Sequence, residues 1–237
     1  MGKDITEYDI TQNFPAKPVF FEKEDLLILA APVYAGRIPA KALDAFKQFR
    51  GENALAVILC VYGNRAYDDA LLEMKDLVEI NGFKVVSAGA FIAQHSIFPK
   101  VGAHRPDSAD LAKIHEMGTK SLEIIETTTD LASLPAIKVK GNKPYKIPSA
   151  IPVKPKGNKN CNDCGACVKL CPVQAISKAT PRKTDREKCI SCGRCVAICP
   201  KNARHFGGIL YTLACKKFTK ANSERKEGEI RYAEVLC

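Results

Sequence analysis

The chain has 237 residues, of which 46% are hydrophobic and 26% charged, the balance of a folded domain and not of a disordered or fibrous chain. No apolar run approaches the ~20 residues of a membrane-spanning helix, and the opening MGKDITEYDI lacks the basic start and apolar stretch of a secretory signal; the expected location is the cytoplasm. The formal net charge of +10 points to a partner with an acidic surface, and no nucleic-acid-binding motif accompanies it, so the partner class expected is protein.

In chain order, Leu26–Pro32, Ala54–Val61 and Lys84–Ile92 are unbroken apolar runs, the pattern of parallel strands buried on both faces. Between and after them the sequence predicts helices. Pro39–Arg50 opens on a proline suited to a first turn and stops before Gly51. Tyr67–Ile80 carries Leu71, Leu72, Met74, Leu77 and Val78 near helical spacing and stops before Asn81-Gly82. Asp107–Glu126 begins on Asp107 or Ser108 as its cap. Strands alternating with helices predict a parallel sheet with right-handed crossovers over residues 1–134.

Residues 135–160 hold five prolines, and seven lysines with no acid lie between Leu131 and Asn162, which predicts a solvated, semi-extended linker. The extension 204–237 reads as a helix over Ile209–Phe218 followed by a polar stretch, Ala221–Glu229, expected to be mobile.

Eight of the eleven cysteines fall within residues 161–203, in two runs of identical spacing: Cys161, Cys164, Cys167 and Cys171-Pro172, then Cys189, Cys192, Cys195 and Cys199-Pro200. The spacing C-x2-C-x2-C-x3-C-P is that of two-cluster bacterial ferredoxins, in which the fourth thiolate of each run serves the other cubane. It assigns Cys161, Cys164, Cys167 and Cys199 to one [4Fe–4S] cluster and Cys189, Cys192, Cys195 and Cys171 to the second. Structural zinc, which takes four ligands often in separated pairs, fits two complete runs poorly. So small a region buries little apolar surface, so the clusters are expected to hold it together. Gly165 and Gly193 lie in the tight loops, where the backbone can approach cluster sulfurs. Cys60 reads as core, and Cys215 and Cys237 as ordinary thiols.

Three loops follow the strand C-termini, the edge at which open α/β sheets bind ligands: Pro32–Pro39, Tyr62–Tyr67 and Ala93–Ser96. The first two place a tyrosine close to a glycine, as would suit a flat ring. PVYAGRIP, YGNRAYDDALLEM and AFIAQHS, in that order ahead of two ferredoxin runs, resemble the flavodoxin–ferredoxin fusion proteins of anaerobes, from about Asp25 to the tail. The resemblance implies a flavodoxin-like α/β parallel sheet that binds FMN, followed by a small α+β two-[4Fe–4S] domain. It places Pro32, Val33, Tyr34, Ala35, Gly36 and Arg37 on one face of the isoalloxazine and Tyr62, Gly63, Asn64, Arg65 and Tyr67 on its other side. The family's first strand and phosphate loop have no counterpart here: the sheet is expected to be incomplete, opening on the second strand at Asp4–Thr11. FMN binding is then expected to be weak or absent, because a phosphate anchor supplies several charge-assisted hydrogen bonds of ~1.5–3 kcal/mol each.

The function expected is low-potential electron transfer through the clusters, to or from FMN or a redox partner protein. An FMN-dependent reductase fed by the clusters and a docking subunit of a larger redox complex are the alternatives. His95 falls in the third loop, at the edge where the ring would lie.

Overall fold

The structure, a computed structural model, describes residues 4–130 and 133–233. Strands β1 (Val19–Phe21), β2 (Leu26–Pro32), β3 (Phe49–Gly51), β4 (Ala54–Tyr62) and β5 (Phe83–Ile92) alternate with helices α1 (Ala40–Phe46) and α2 (Ala70–Ile80), and α3 (Ser108–Thr127) comes next. The C-terminal part adds β6 (Lys156–Gly157), the one-turn helices α4 (Ala166–Lys169) and α5 (Arg194–Ala197), β7 (Arg204–His205), α6 (Ile209–Ala221) and β8 (Glu229–Tyr232).

The main sheet has the order β2-β4-β5-β8. β2, β4 and β5 are parallel, but β8 is antiparallel to β5, with Ser87 opposite Tyr232, so the sheet is mixed and not purely parallel. The polar Ala221–Glu229 stretch therefore leads into an edge strand instead of ending in solvent. β1 and β3 form a separate parallel pair. The helix expected to run to Arg50 stops at Phe46, because Phe49–Gly51 pairs with Val19–Phe21. Asp4–Thr11 is not a strand. Thr11 N–H donates to Asp9 (3.0 Å) in a turn, and the segment runs to the cysteine-rich domain. There Arg194 donates to the Thr11 hydroxyl (2.7 Å) and Gln12 to the Leu170 carbonyl (3.3 Å).

One face of the sheet packs Leu27, Leu29, Ile58 and Val85 against Phe46, Leu71 and Met74 of α1 and α2. The other packs Val57 and Phe91 against Met117 of α3. A Cβ on Gly89 would lie 2.8 Å from the Met117 sulfur, so only glycine lets α3 settle this close. α3 begins with a capping box: Asp107 accepts from Ala109 and Asp110 N–H (3.1 Å each), and Asp110 accepts from Asp107 N–H (2.9 Å). β2 departs from the fully buried strand its composition predicts. It alternates, with Leu29 buried and Ile28 65% exposed, because it is the edge of the described sheet and α3 covers β5 instead. Leu29→Ala should cost about 2–5 kcal/mol, and Ile28→Ala no more than about 0.5 kcal/mol, as read from urea unfolding midpoints.

The linker is not a free tether. Ile137 enters the core, as does Leu134 just before the linker, and acids at the start of α2 and within it grip residues 142–146. Asp69 accepts from Asn142 N–H (2.8 Å) and Lys146 N–H (2.6 Å), Asp76 pairs with Lys143 (2.6 Å), and Asp68 pairs with Lys146 (2.6 Å). β6 then joins β7 in an antiparallel ladder that closes the cysteine-rich domain.

Candidate metal centres and the adjoining cavity

The cysteine-rich domain holds an internal repeat at 28 residues, in which 161–176 and 189–204 share the four cysteines and the positions of one glycine, valine, proline and alanine. The backbone repeats with it. Asp163 and Ser191, Gly165 and Gly193, and Gln174 and Asn202 take matching left-handed conformations. Gly165 and Gly193 each turn the chain into a one-turn helix, α4 or α5. Ala175 N–H donates to the Cys171 sulfur and Ala203 N–H to the Cys199 sulfur, both at 3.2 Å.

The chain fold sorts the cysteines into two groups. Cys161, Cys164, Cys167 and Cys199 line one small cavity, with Pro181, Lys201 and Arg204. Cys171, Cys189, Cys192 and Cys195 line a second, with Pro155, Ile176, Thr184 and Gly193. Among the described residues, no three His, Cys, Asp or Glu side chains converge tightly enough to hold a single ion. Mononuclear zinc would need sulfurs at about 2.3 Å from one point. Four thiols spread around a cavity, with backbone N–H groups aimed at their sulfurs, fit a cubane instead.

Burial raises the Cys167, Cys192 and Cys195 thiols, the last to about 11. These thiols ionise only when a metal charge compensates, so assembly releases protons. The Cys199 thiol is lowered. Burial opposes this, but N–H groups of Ala203, Arg204 and Lys201 outweigh it.

Residues 160–203 match the family of 4Fe-4S dicluster domains. The region is thus an iron–sulfur domain of electron-transfer type, carrying 4Fe–4S clusters. No curated protein matches the chain.

The dicluster domain docks on the C-terminal edge of the sheet. A Cβ on Gly193 would meet the Ser96 carbonyl at 3.0 Å, Ser191 donates to the Val153 carbonyl (2.9 Å), and Lys154 donates to the Cys189 carbonyl (2.6 Å). Next to this contact lies a cavity of about 480 Å³. Of the loop residues predicted at a ligand, Pro32, Val33, Tyr34, Ala35, Tyr62, Gly63 and Arg65 line it.

Gly36, Arg37, Asn64 and Tyr67 do not line it. Gly36 packs on Asp68, where a Cβ would clash. Arg37 forks onto Glu73 and donates to the Lys146 carbonyl (2.7 Å). Asn64 is buried and donates to the carbonyls of Asn222 (3.0 Å) and Glu224 (2.8 Å). The Tyr67 hydroxyl donates to Glu229 of β8 (2.9 Å). Arg37 fastens the linker, and Asn64 and Tyr67 the tail, to the sheet. Tyr62 and Tyr67 pack edge to face at 5.5 Å, so Tyr62 presents little of its ring to the cavity.

The cavity also takes Ile151, Pro152 and Val153 from the linker, Ala214 and Phe218 from α6, and Ser191 from the second cysteine run. Nothing local in the sequence marks these residues, since only tertiary folding brings them together. His95 is a wall of the cavity. Its Nδ1 accepts from the N–H groups of Ile97 (3.1 Å) and Phe98 (3.2 Å), which leaves the ring proton on Nε2. Burial, and then Arg65, lower its pKa to about 4, so it is neutral at pH 7. Gly63 is required here because a Cβ would stand 2.6 Å from the His95 ring. Burial, with Cys192 close by, pushes the Tyr34 phenol up, so Tyr34 stays protonated between the cavity and the second cysteine group.

The remaining cysteines carry no such arrangement. Cys60 is buried within β4, and Cys215 lies on α6 beside Thr219 at 3.9 Å. Cys237 is outside the described residues. Among the described residues, no helix is long and apolar enough to cross a membrane.

Proposed function

We propose that the protein is a one-electron carrier with its two clusters in series, one at the surface and one beside the sheet-edge cavity. Cys161, Cys164, Cys167 and Cys199 bind the outer cluster, and Cys171, Cys189, Cys192 and Cys195 the inner one. The observation that carries this reading is the asymmetry of the two cysteine groups. Cys164 is exposed, whereas Gly193 and Ser191 of the other group are pressed against Ser96 and Val153. Each cubane supplies storage for one electron. The protein's residues supply the rest: thiolates, N–H groups that stabilise negative charge on sulfur, and short covalent paths between the groups. No acid, base or nucleophile is required.

Lys159, Arg182 and Lys201 stand exposed around the outer group and favour an acidic protein partner. Under anaerobic dithionite titration each chain should take up two electrons. At equal driving force, exchange with a sulfonated viologen should exceed exchange with methyl viologen, and salt should close the gap. Equal rates at low salt would contradict an acidic partner.

A second reading concerns the cavity, whose volume and apolar walls suit a three-ring planar cofactor such as a flavin. Val33, Tyr34, Gly63 and Phe98 would flank the ring, and the His95 Nε2–H would donate to its edge. The rim offers little to a phosphate, because Arg65 and Lys146 are both engaged by Asp68. Riboflavin and FMN should therefore bind within about threefold of each other, since neither cation among the described lining residues, Arg65 or Lys146, is free to add the ~1.5–3 kcal/mol of a charge-assisted hydrogen bond. Fluorescence titration of the holoprotein tests this. FMN binding a hundredfold tighter, or no quenching by either flavin, would contradict it.

A further inference from the structure

Residues 144–155 read PYKIPSAIPVKP, with a proline at every third or fourth position. Proline removes N–H donors and bars helix and ladder, so such a segment stays extended with its carbonyls open to donors from elsewhere. The cysteine-rich domain supplies those donors. Arg186 donates to the Pro152 carbonyl (3.0 Å), Ser191 to that of Val153 (2.9 Å), and Thr184 and Arg204 to that of Pro155. Lys154 donates in return to the Cys189 carbonyl (2.6 Å). Every residue from 152 to 155 is thus fixed by the domain that carries the clusters.

The other end of the segment is fixed by the sheet. Besides the contacts of Asp68, Asp69 and Asp76, the Tyr145 hydroxyl donates to Asp76, the Arg37 guanidinium stands over the Tyr145 ring at 4.7 Å, and Arg37 donates to the Lys146 carbonyl. Between these anchors, residues 147–151 make no hydrogen bond to other described residues. Ile147 is 88% exposed, and Ile151 packs against the cluster of Ile97, Phe98 and Val101. Yet Ser149, Ala150 and Ile151, with Pro152 and Val153, line the sheet-edge cavity. One wall of the cavity is therefore a strap between the sheet and the dicluster domain. Its second anchor stands only while that domain is folded, and a domain whose buried apolar cluster is Cys167, Ile176 and Cys195 folds around its metal.

We propose that this strap makes the cavity conditional on the clusters: with them in place the wall is pre-formed and a planar ligand is held, and without them residues 147–155 come away and the ligand is released. The inference rests on the flavin reading of the cavity. A ligand that must itself order a loose segment binds more weakly by the entropy of that ordering, so the clusters raise affinity without touching the ligand. The device keeps a redox ligand only where an electron source stands beside it.

The test is equilibrium dialysis of riboflavin, under anaerobic conditions, against the full chain with about eight irons and against the same chain stripped of iron. Affinity should fall about thirtyfold on stripping. In the iron-loaded protein, Lys154→Ala combined with Arg186→Ala frees two points of the anchor and should weaken binding about fivefold. In the stripped chain the same pair should change nothing, because the anchor is already lost. Arg186→Ala alone, at an exposed side chain, serves if the double variant retains less iron. A fivefold loss that persists in the stripped chain would overturn the proposal. So would amides of β4 and β5 that lose hydrogen-exchange protection with the iron, since binding would then report unfolding of the sheet. Equal affinity with and without iron would sink the inference alone, whereas no binding to the iron-loaded protein would sink the flavin reading beneath it.

Discussion

Stripping iron from the protein with a chelator is expected to unfold residues 160–203 and leave the main sheet folded. The dicluster domain has almost no core of its own. Its buried apolar cluster consists of Cys167, Ile176 and Cys195, with Val168 and Val196 packed against them, and two of those three are thiols. Metal binding is then folding free energy. The sheet has an independent core running from Leu27 to Val86, closed by Phe46, Leu71 and Met74. Hydrogen exchange of the apoprotein should show amides from Cys161 to Ala203 at the unprotected limit, while β4 and β5 remain protected. The linker contacts at Val153 and Lys154 should loosen with the domain, because Ser191 and Cys189 hold them. Protection persisting around Cys167 and Cys195 would show that the domain folds without metal.

The second large effect is expected at Arg105 and Asp110. Their side chains are 6% and 3% exposed, and the pair links the loop after β5 to the start of α3. Arg105 also donates to the Lys226 carbonyl (3.1 Å), which fastens the return toward β8. Asp110→Asn removes the close anion and leaves the buried guanidinium with only the more distant Asp107 carboxylate, at 3.9 Å, a loss of about 3 kcal/mol, the low end for a broken buried pair. For a chain of this size that lowers the melting temperature by roughly 10 °C. Asp44→Asn, at an exposed helical pair with Lys47, should change stability by less than about 0.5 kcal/mol. The hydrogen bond from Arg105 holds the Asp110 carboxyl below its ordinary range. The folded value lies under the unfolded one, so this stabilisation is complete above about pH 4 and is lost as pH falls through the folded value. The gap between wild type and Asp110→Asn should therefore narrow in acid. A constant gap from pH 7 to pH 2 would show that the carboxylate charge is not its source.

How far the sequence discloses this molecule depends on the range of the forces involved. Ala54–Tyr62 and Phe83–Ile92 are legible because both their faces are buried, so composition alone marks them. Leu26–Pro32 has the same composition, yet no sequence pattern states that one face of an edge strand is left uncovered. The Phe49–Gly51 and Glu229–Tyr232 strands are short and depend on distant partners, Val19–Phe21 and β5, which local propensity does not see. The cysteine runs are legible because their geometry lies in the spacing of one segment. The cavity is half legible: Val33, Tyr34 and Gly63 belong to strand-end loops, but Val153, Ser191 and Phe218 arrive from distant segments of the chain. Arg37, Asn64 and Tyr67 sit in the same loops, and their partners Glu73, Asn222 and Glu229 draw them elsewhere.

The central claim is that eight cysteines bind paired cubanes, each served by three thiolates of one run and the fourth of the other. Iron and acid-labile sulfide measured on anaerobically prepared protein, with EPR of the reduced state, test it most directly. About eight irons and eight sulfides per chain are expected, with the split signal of two interacting one-electron centres. Stoichiometric zinc, or about four irons with the signal of an isolated centre, would contradict it.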